Sequence, residues 1–291
     1  MPTARNGDRA AILVEGPDAG HFLQNVLTPD LDALAADEAR PGALLTPQGK
    51  ILFDFLISRR GEAGFLIDVA ADSASDLVRR LTLYRLRAKA DISVQDQMVV
   101  TTRWHDDSAA SHVDSGWLAD RRFPPEAHVA RHYGEAVAAD ATERDFTRLR
   151  IAHGVAEAGA DFAGSDAFPH DVLMDLNGGV GFRKGCYVGQ EVVSRMQHRG
   201  TARRRVMIAR GDADLPESGT AVEAGGRVIG ALGSVAGADA IAIVRIDRVG
   251  DALDAGQPIT AGGVALTLSI PAWAGYTLPQ ADSVDGDLGE S

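Results

Sequence analysis

KGCYVGQEVVSRMQHRG (residues 184–200) begins with closely spaced glycines and continues without Gly or Pro from Gln190 to Arg199. From Gly189 or the next residue to about His198 this pattern predicts a helix. The segment contains Cys186, the only cysteine in a chain of 291 residues. A lone cysteine is most often a small buried apolar residue. Any other role for Cys186 must therefore be inferred from the residues around it.

The neighbours of Cys186 favour a reactive thiol. The dipole of the predicted helix stabilises a thiolate just before the helix N-terminus, and the adjacent Arg183 and Lys184 add positive charge. We therefore expect a lowered pKa for this thiol. One thiol cannot hold a metal ion or an iron–sulfur cluster alone, because such sites use about four ligands. We expect no metal site made by this chain alone.

Composition and charge indicate a soluble globular protein. Hydrophobic residues make up 45% of the chain, and the net charge is −12, so direct binding of nucleic acid is not expected. The N-terminal apolar stretch is shorter than a signal peptide requires, and no segment is long enough to span a membrane. A single cysteine fits a reducing compartment. We therefore expect a cytoplasmic protein of two or three modules without a membrane partner.

The N-terminal half alternates strands and helices in the order of an α+β protein. Helices are predicted over residues 16–28, with Asp18 as a cap, over 72–87, with Leu86 on the inner face, and over 141–153, ended by Gly154. Strands are predicted over residues 9–16, 64–70 and 90–104, with a hairpin that turns at residues 47–49. Between residues 105 and 140 the periodicity fades, which indicates a loop-rich excursion with short strands.

After Gly200 the pattern changes to short strands separated by Gly and Asp, with no helix expected among them. Such a pattern is typical of a small antiparallel barrel or sandwich. We therefore divide the chain into residues 1–200, a C-terminal β-barrel over 201–275, and a flexible acidic tail over 276–291.

Motifs along most of the chain resemble one known family. KGCYVGQE (residues 184–191) resembles the Lys-Gly-Cys-Tyr-x-Gly-Gln-Glu signature of the YgfZ family, folate-binding proteins that support iron–sulfur cluster assembly and are related to the glycine cleavage T-protein. Segments GPDAGHFLQNVLTPDL, LLTPQGKILFDFLI and RLRIAHGVAE are similar to other parts of that family. RVIGALGSV and AIAIVRID resemble the barrel of the T-protein class, so the resemblance covers residues 9–270.

The resemblance implies an α+β, T-protein-like region of two interleaved subdomains around a central opening, followed by an antiparallel β-barrel. Tetrahydrofolate or a one-carbon derivative would enter that opening. Asp54 matches one aspartate of the T-protein pattern Gly-Gly-x-x-Asp-Asp-Leu, and Phe53 replaces the other. Ala152 stands where the T-protein has a glutamate that anchors the pterin. We therefore expect folate binding without efficient aminomethyl transfer.

The function implied by the resemblance is a folate-dependent accessory factor that assembles or repairs iron–sulfur clusters in client enzymes. Its partners would be client or assembly proteins, with a transient iron–sulfur cluster shared between them. The alternative is a tetrahydrofolate-dependent aminomethyl- or methyltransferase, so whether the chain is an enzyme stays open.

Nine residues form the expected site. The catalytic set is Cys186, Lys184, Gln190 and Glu191, and the folate-binding set is Asp54, Gly179, Tyr187, Arg195 and Arg199. In this scheme Lys184 favours the thiolate, and Gln190 and Glu191 order the loop by hydrogen bonding to backbone amides. The arginines hold the glutamate tail of folate or an acidic partner.

Overall fold

A computed structural model of the chain describes residues 1–105, 116–200 and 202–279. Over these residues the N-terminal part forms the strands β1 (Thr3–Arg5), β2 (Arg9–Glu15), β3 (Glu38–Leu45), β4 (Ile51–Arg60), β5 (Gly64–Ala70), β6 (Asp91–Val94), β7 (Val99–Arg103), β8 (Trp117–Asp120) and β9 (Ala130–Gly134). Its helices are α1 (Ala19–Val26), α2 (Ala71–Arg85) and α3 (Glu143–His153), with a short 3-10 helix at Pro125–Ala127. None of the described helices is long and apolar enough to cross a membrane.

The nine strands pair into one sheet in the order β1-β7-β9-β8-β3-β4-β5-β2-β6. Neighbours are antiparallel except β3 and β8, whose parallel pairing joins the two halves of the sheet. Strands β1, β7, β8 and β9 form one half, and β2 to β6 form the other, so each half takes strands from separated parts of the chain. This arrangement confirms the predicted α+β class with interleaved subdomains.

Helices α1 and α2 cover the β2–β6 half because each has one apolar face. Leu23 of α1 and Leu77 of α2 are fully buried against Ile12, Ile57 and Ile67 of the strands. Alternating apolar positions along the strands and a spacing of three to four along the helices build this shared core.

One local prediction in this half is right in position only, and two are wrong. Asp18 is the N-cap residue of α1, but its carboxylate accepts the backbone N–H of Lys89 at 2.8 Å and makes no capping bond to α1. Leu86 is 87% exposed because a positive φ of 50° ends α2 and turns its side chain outward. The strand predicted over residues 90–104 is divided into β6 and β7 by a polar turn, in which the Met98 N–H donates to the carbonyl of Gln95.

The C-terminal part consists of α4 (Gln190–Arg199), β10 (Arg204–Gly211), β11 (Ala221–Ala224), β12 (Arg227–Ala236), β13 (Asp239–Arg245), α5 (Ile246–Asp254), β14 (Ile259–Ala261) and β15 (Val264–Ser269). Strands β10 to β15 close into an antiparallel barrel in the order β10-β13-β12-β11-β14-β15. The predicted barrel is therefore confirmed, while its boundaries at residues 201 and 275 stay predictions. Residues 280–291, most of the predicted tail, lie outside the described residues.

The expectation that no helix interrupts the barrel strands is wrong. Helix α5 buries Ile246 and Val249 against the barrel core. Gly250 in its middle weakens the helical pattern of the sequence. A Cβ at Gly250 would lie 2.9 Å from the carbonyl oxygen of Pro279, so close packing against the chain explains the glycine.

The start of α4 packs closely on the hairpin between β3 and β4. Gly189, the residue before α4, has a φ of 78°, and a Cβ placed there would lie 2.5 Å from the carbonyl oxygen of Thr46. On the hairpin side, a Cβ at Gly49 would lie 2.9 Å from Cβ of Val192. The two glycines let the backbones of the TPQGK hairpin and the signature segment approach each other.

We expect Gly189→Ala to destabilise the protein by about 2 kcal/mol, because it combines a left-handed backbone conformation with a steric clash. Gly185→Ala is the matched control, since no described residue other than its chain neighbours lies within 4 Å of a Cβ at that position. This variant should change stability by less than about 0.5 kcal/mol. Urea unfolding of both variants measures the difference. Equal stabilities of the two variants would contradict the close contact.

Candidate functional site

Lys184 anchors the signature segment (residues 184–191) to the residues that follow α1 through hydrogen bonds. Its Nζ donates to the carbonyl oxygens of Leu27 at 2.7 Å and Pro29 at 2.8 Å, and it lies 5.3 Å from the centre of the Tyr187 ring. Burial lowers the pKa of Lys184 to about 8. These contacts make Lys184 a positioning residue, and its predicted effect on the thiolate stays a prediction.

A second set of contacts holds the same loop at Thr28. The Thr28 hydroxyl donates to the carbonyl oxygen of Gly179 at 2.6 Å, and the Gly181 N–H donates to the Thr28 carbonyl at 2.8 Å. A Cβ at Gly181 would lie 2.8 Å from Cδ of Lys184. Gly179 and Gly181 therefore serve loop packing, and Gly179 lines none of the cavities described below.

Cys186 is exposed at the end of this fastened loop. Beside it, Gly185 has open space around its Cα, and α4 begins at Gln190. The thiol is therefore reachable from solvent. Tyr187, by contrast, is buried in the core with Leu45 and Val193.

The remaining predicted residues lie on the surface of α4. Glu191 pairs with Arg195 one helical turn later, and Arg199 is exposed near the C-terminal end of the helix. The N-cap residue of α4 is Gly189, which has no side chain to cap the helix. Glu191 accepts a hydrogen bond from Arg195, and the predicted bonds of Gln190 and Glu191 to backbone amides are not seen among the described residues. The structure groups Lys184, Cys186 and Tyr187 in one loop and leaves Asp54 elsewhere.

Asp54 lies in a narrow cavity, here called the inner cavity, between the sheet and the segment after α3. Its lining consists of Arg9, Pro41, Asp54, Phe55, Arg122, Gly154, Val155, Ala156, Val172, Met174, Asn177 and Trp273. The volume is about 20 Å³, which accommodates one water molecule.

Two of the lining residues, Arg9 and Arg122, belong to a buried charge cluster of eight side chains. The cluster consists of Arg9, Asp68, Asp120, Arg122, Arg131, Arg150, Glu157 and Asp161. None of these side chains is more than 11% exposed. The four arginines balance the four acids, which is the condition under which buried charges are tolerated.

Asp54 is a fifth buried acid beside this balanced cluster. Within the described residues it makes no ion pair, and its Oδ2 accepts the Ala158 N–H at 3.2 Å. Burial raises the pKa of Asp54, and the more distant Arg9 offsets this only in part. Glu157 shows the opposite outcome: burial alone would raise its pKa, but Arg150 and Arg122 hold that pKa well below its usual range.

Sequence reasoning missed the charge cluster. Asp120, Arg122 and Arg131 lie in the stretch interpreted as loop-rich, where no periodic pattern marked them as buried. The available signal was Asp68, a single acid inside the apolar strand GFLIDVA, because an acid in a buried strand requires a partner.

A wider cavity, here called the mouth, adjoins the inner cavity and has a volume of about 610 Å³. The two cavities share Arg122, Asn177 and Trp273. Arg40 and Arg121 also line the mouth, together with one acid, Glu126. Both arginines pair with Glu38, and within the lining the arginines outnumber the acids. The three shared residues mark the place where the two cavities adjoin.

Ala152 lies in neither of these cavities. It is exposed on α3 and lines a separate groove between α3 and the barrel. The expected effect of Ala152 on pterin binding stays a prediction, and the structure places this residue apart from Asp54.

The fold is that of the aminomethyltransferase T-protein. The crystal structure of glycine cleavage system aminomethyltransferase T from Bartonella henselae superimposes with a TM-score of 0.66 at 16% identity, and the match covers 93% of this chain and 85% of that one. At this identity the likeness shows the fold alone. Residues 203–276 match the family model described as CAF17, C-terminal beta-barrel domain.

In sequence, the chain is similar to proteins named iron-sulfur cluster assembly factor IBA57 homolog, mitochondrial. The protein of Chaetomium globosum is 32% identical over 243 residues, covering 70% of this chain, and that of Pyricularia oryzae is 35% identical over 218 residues, covering 68%. The chain spans about half the length of these relatives, 55% and 54%.

The predicted resemblance is thus confirmed in its coarser form, as a likeness to iron–sulfur cluster assembly factors with a T-protein fold. The relatives are named IBA57 homologs rather than YgfZ. The prediction of a cytoplasmic location is contradicted, because these relatives are named as mitochondrial. A single cysteine fits any compartment that keeps thiols reduced. The cysteine count could therefore not distinguish a cytoplasmic from a mitochondrial location.

We expect Glu157→Gln to destabilise the protein by about 3 kcal/mol or more, because it leaves Arg122 and Arg150 buried without their shared carboxylate. Asp54→Asn removes an acid that has no arginine partner and should cost less than about 1 kcal/mol. Urea unfolding at neutral pH compares the two variants. A larger loss for Asp54→Asn than for Glu157→Gln would show that the charge balance has been assigned wrongly.

Proposed function

We propose that this protein assists the assembly of iron–sulfur clusters in client enzymes through the thiol of Cys186. The observation that carries the proposal is the exposed position of the only cysteine in the chain, at the end of a loop fixed by Lys184 and Thr28. The names of the relatives, which are assembly factors, support the same function.

The geometry suits a thiol that is offered to another protein. Gly185 leaves open space beside Cys186, so a partner surface can approach the sulfur. The loop itself is held at Leu27 and Pro29 and loses little conformational freedom on contact. Since one thiol supplies one of about four ligands, the partner contributes the other ligands of a cluster that is transferred as cargo.

Tetrahydrofolate or a one-carbon derivative is the proposed ligand of the mouth and the inner cavity. The polar groups fit such a ligand: Asp54 and Asn177 offer hydrogen bonds to a heteroaromatic ring, and Arg40 and Arg121 attract a glutamate tail. The volume of the inner cavity does not admit a pterin until Trp273 or Asn177 moves. Folate binding therefore requires the inner cavity to widen toward the mouth.

A tetrahydrofolate-dependent aminomethyl- or methyltransferase is the second candidate. Asp54 favours it, since a buried carboxyl group with a raised pKa can exchange a proton with a bound substrate. A turnover assay with an aminomethyl donor or dimethylglycine separates the two functions, because the accessory factor binds folate without turnover.

We expect Cys186→Ser to abolish rescue of cluster-dependent enzyme activity in cells from which the gene has been deleted. The matched control moves the thiol rather than removing it: Cys186→Ser combined with Ser75→Cys keeps one exposed cysteine, now on α2. This double variant should also fail, because position and not thiol content is required. Full aconitase activity with either variant, at equal protein level and under oxidative stress, would rule out the proposed role of the thiol.

Calorimetry with tetrahydrofolate tests the ligand separately. Asp54→Asn should weaken binding about tenfold, the effect of one lost hydrogen bond to an ionisable group, whereas Cys186→Ser should bind like the wild type because the thiol lines neither cavity. No binding to the wild type would refute the folate proposal and leave the thiol proposal standing.

A further inference from the structure

The groove between α3 and the barrel is the second large cavity of the described part of the chain. Its volume is about 680 Å³, within the range of small-molecule sites. It has no lining residue in common with the inner cavity or the mouth. The groove is thus a distinct site, and an inference about it does not rest on the proposed function.

The groove has an apolar lining supplied by two elements. Ile151 and Ala152 belong to α3, and Ile208 and Ala236 belong to the barrel. The small side chains of the two alanines leave the space between helix and barrel unfilled. An apolar group of ring size gains free energy by covering such a surface.

Polar groups lie around the apolar lining, and the positive ones predominate. The charged lining residues are Arg148, Arg210 and one carboxylate, Asp239, which pairs with Arg210. Thr267 and Ser269, which carry hydroxyl groups, lie on the same side of β15. The pairing of β10 with β15 places Arg210 opposite Thr267 and Ile208 opposite Ser269. The hydroxyl groups of β15 therefore lie directly across from Ile208 and Arg210 of β10 in the groove.

Both guanidinium groups retain hydrogen-bond donors. Arg148 lies 3.4 Å from Asp145 in an exposed pair, which holds it weakly. Arg210 contacts Asp239 through Nε at 2.9 Å, and within the described residues its two terminal nitrogens have no other partner. These donors suit the oxygens of an anionic group.

We propose that this groove binds a small amphipathic organic anion, with an apolar ring system on Ile208 and Ala152 and a carboxylate or sulfonate on Arg148 and Arg210. The apolar area and the two arginines each contribute, so neither a simple inorganic anion nor a neutral hydrocarbon fits the site as well.

Anilinonaphthalene sulfonate is a suitable probe because it has this chemistry and fluoresces when bound. We expect one site per chain on the full-length protein, with binding that weakens as salt increases. Arg148→Gln and Arg210→Gln should each weaken it about tenfold, the effect of one lost charge-assisted hydrogen bond. Ala152→Trp should remove binding by filling the groove.

Arg80→Gln, an exposed arginine on α2, is the matched control and should bind the probe like the wild type. If Ala152→Trp fails to fold, Thr267→Phe fills the groove from the exposed side of the barrel and should give the same loss. Unchanged probe affinity in a folded Ala152→Trp or Thr267→Phe variant, or an equal loss in Arg80→Gln, would overturn the proposal.

Discussion

The side chain of Arg150 connects the three parts of the molecule on which the candidate site depends. From α3 its guanidinium donates to the Val155 carbonyl at 2.8 Å, to Asp161 at 2.9 Å and to the Ser234 hydroxyl of the barrel at 3.0 Å. Asp161 in turn accepts the Ser234 N–H at 2.6 Å. One buried arginine therefore fixes α3, the segment that lines the inner cavity, and the barrel relative to one another, and its burial makes each of these bonds costly to lose.

The same cluster explains why Asp54 is the chemically distinctive group of the inner cavity. Once the arginines have paired with Asp68, Asp120, Glu157 and Asp161, no positive charge remains to stabilise a fifth carboxylate at contact distance. Desolvation then acts on Asp54 with little compensation and favours its protonated form. When it is protonated, such a carboxyl group can donate as well as accept a hydrogen bond.

The sequence predicted those features that depend on local periodicity, and it failed where distant residues decide the outcome. The helix of residues 141–153 and the hairpin at 47–49 were predictable because capping and turn chemistry are local. Helix α5 was missed because Gly250 weakens its helical sequence pattern, and this glycine is explained by a close contact with the distant Pro279. For the site, the exposure of Cys186 and the burial of Asp54 follow from tertiary packing. The burial of Arg122 and Arg131 in the charge cluster likewise depends on the pairing of distant strands, which the sequence pattern did not reveal.

The thiol and the two cavities, the mouth and the inner cavity, lie at opposite ends of one loop. Asn177 and Gly178 line the mouth, the next residues are tied to Thr28, and Lys184 fixes the chain just before Cys186. A ligand that entered the inner cavity by displacing Asn177 would therefore act on the same loop that carries Cys186. Thr28 and Lys184 hold that loop between its two ends, so their contacts would limit how far such a displacement extends along the loop. The same close packing explains the glycines of this segment without any direct contact between them and a ligand.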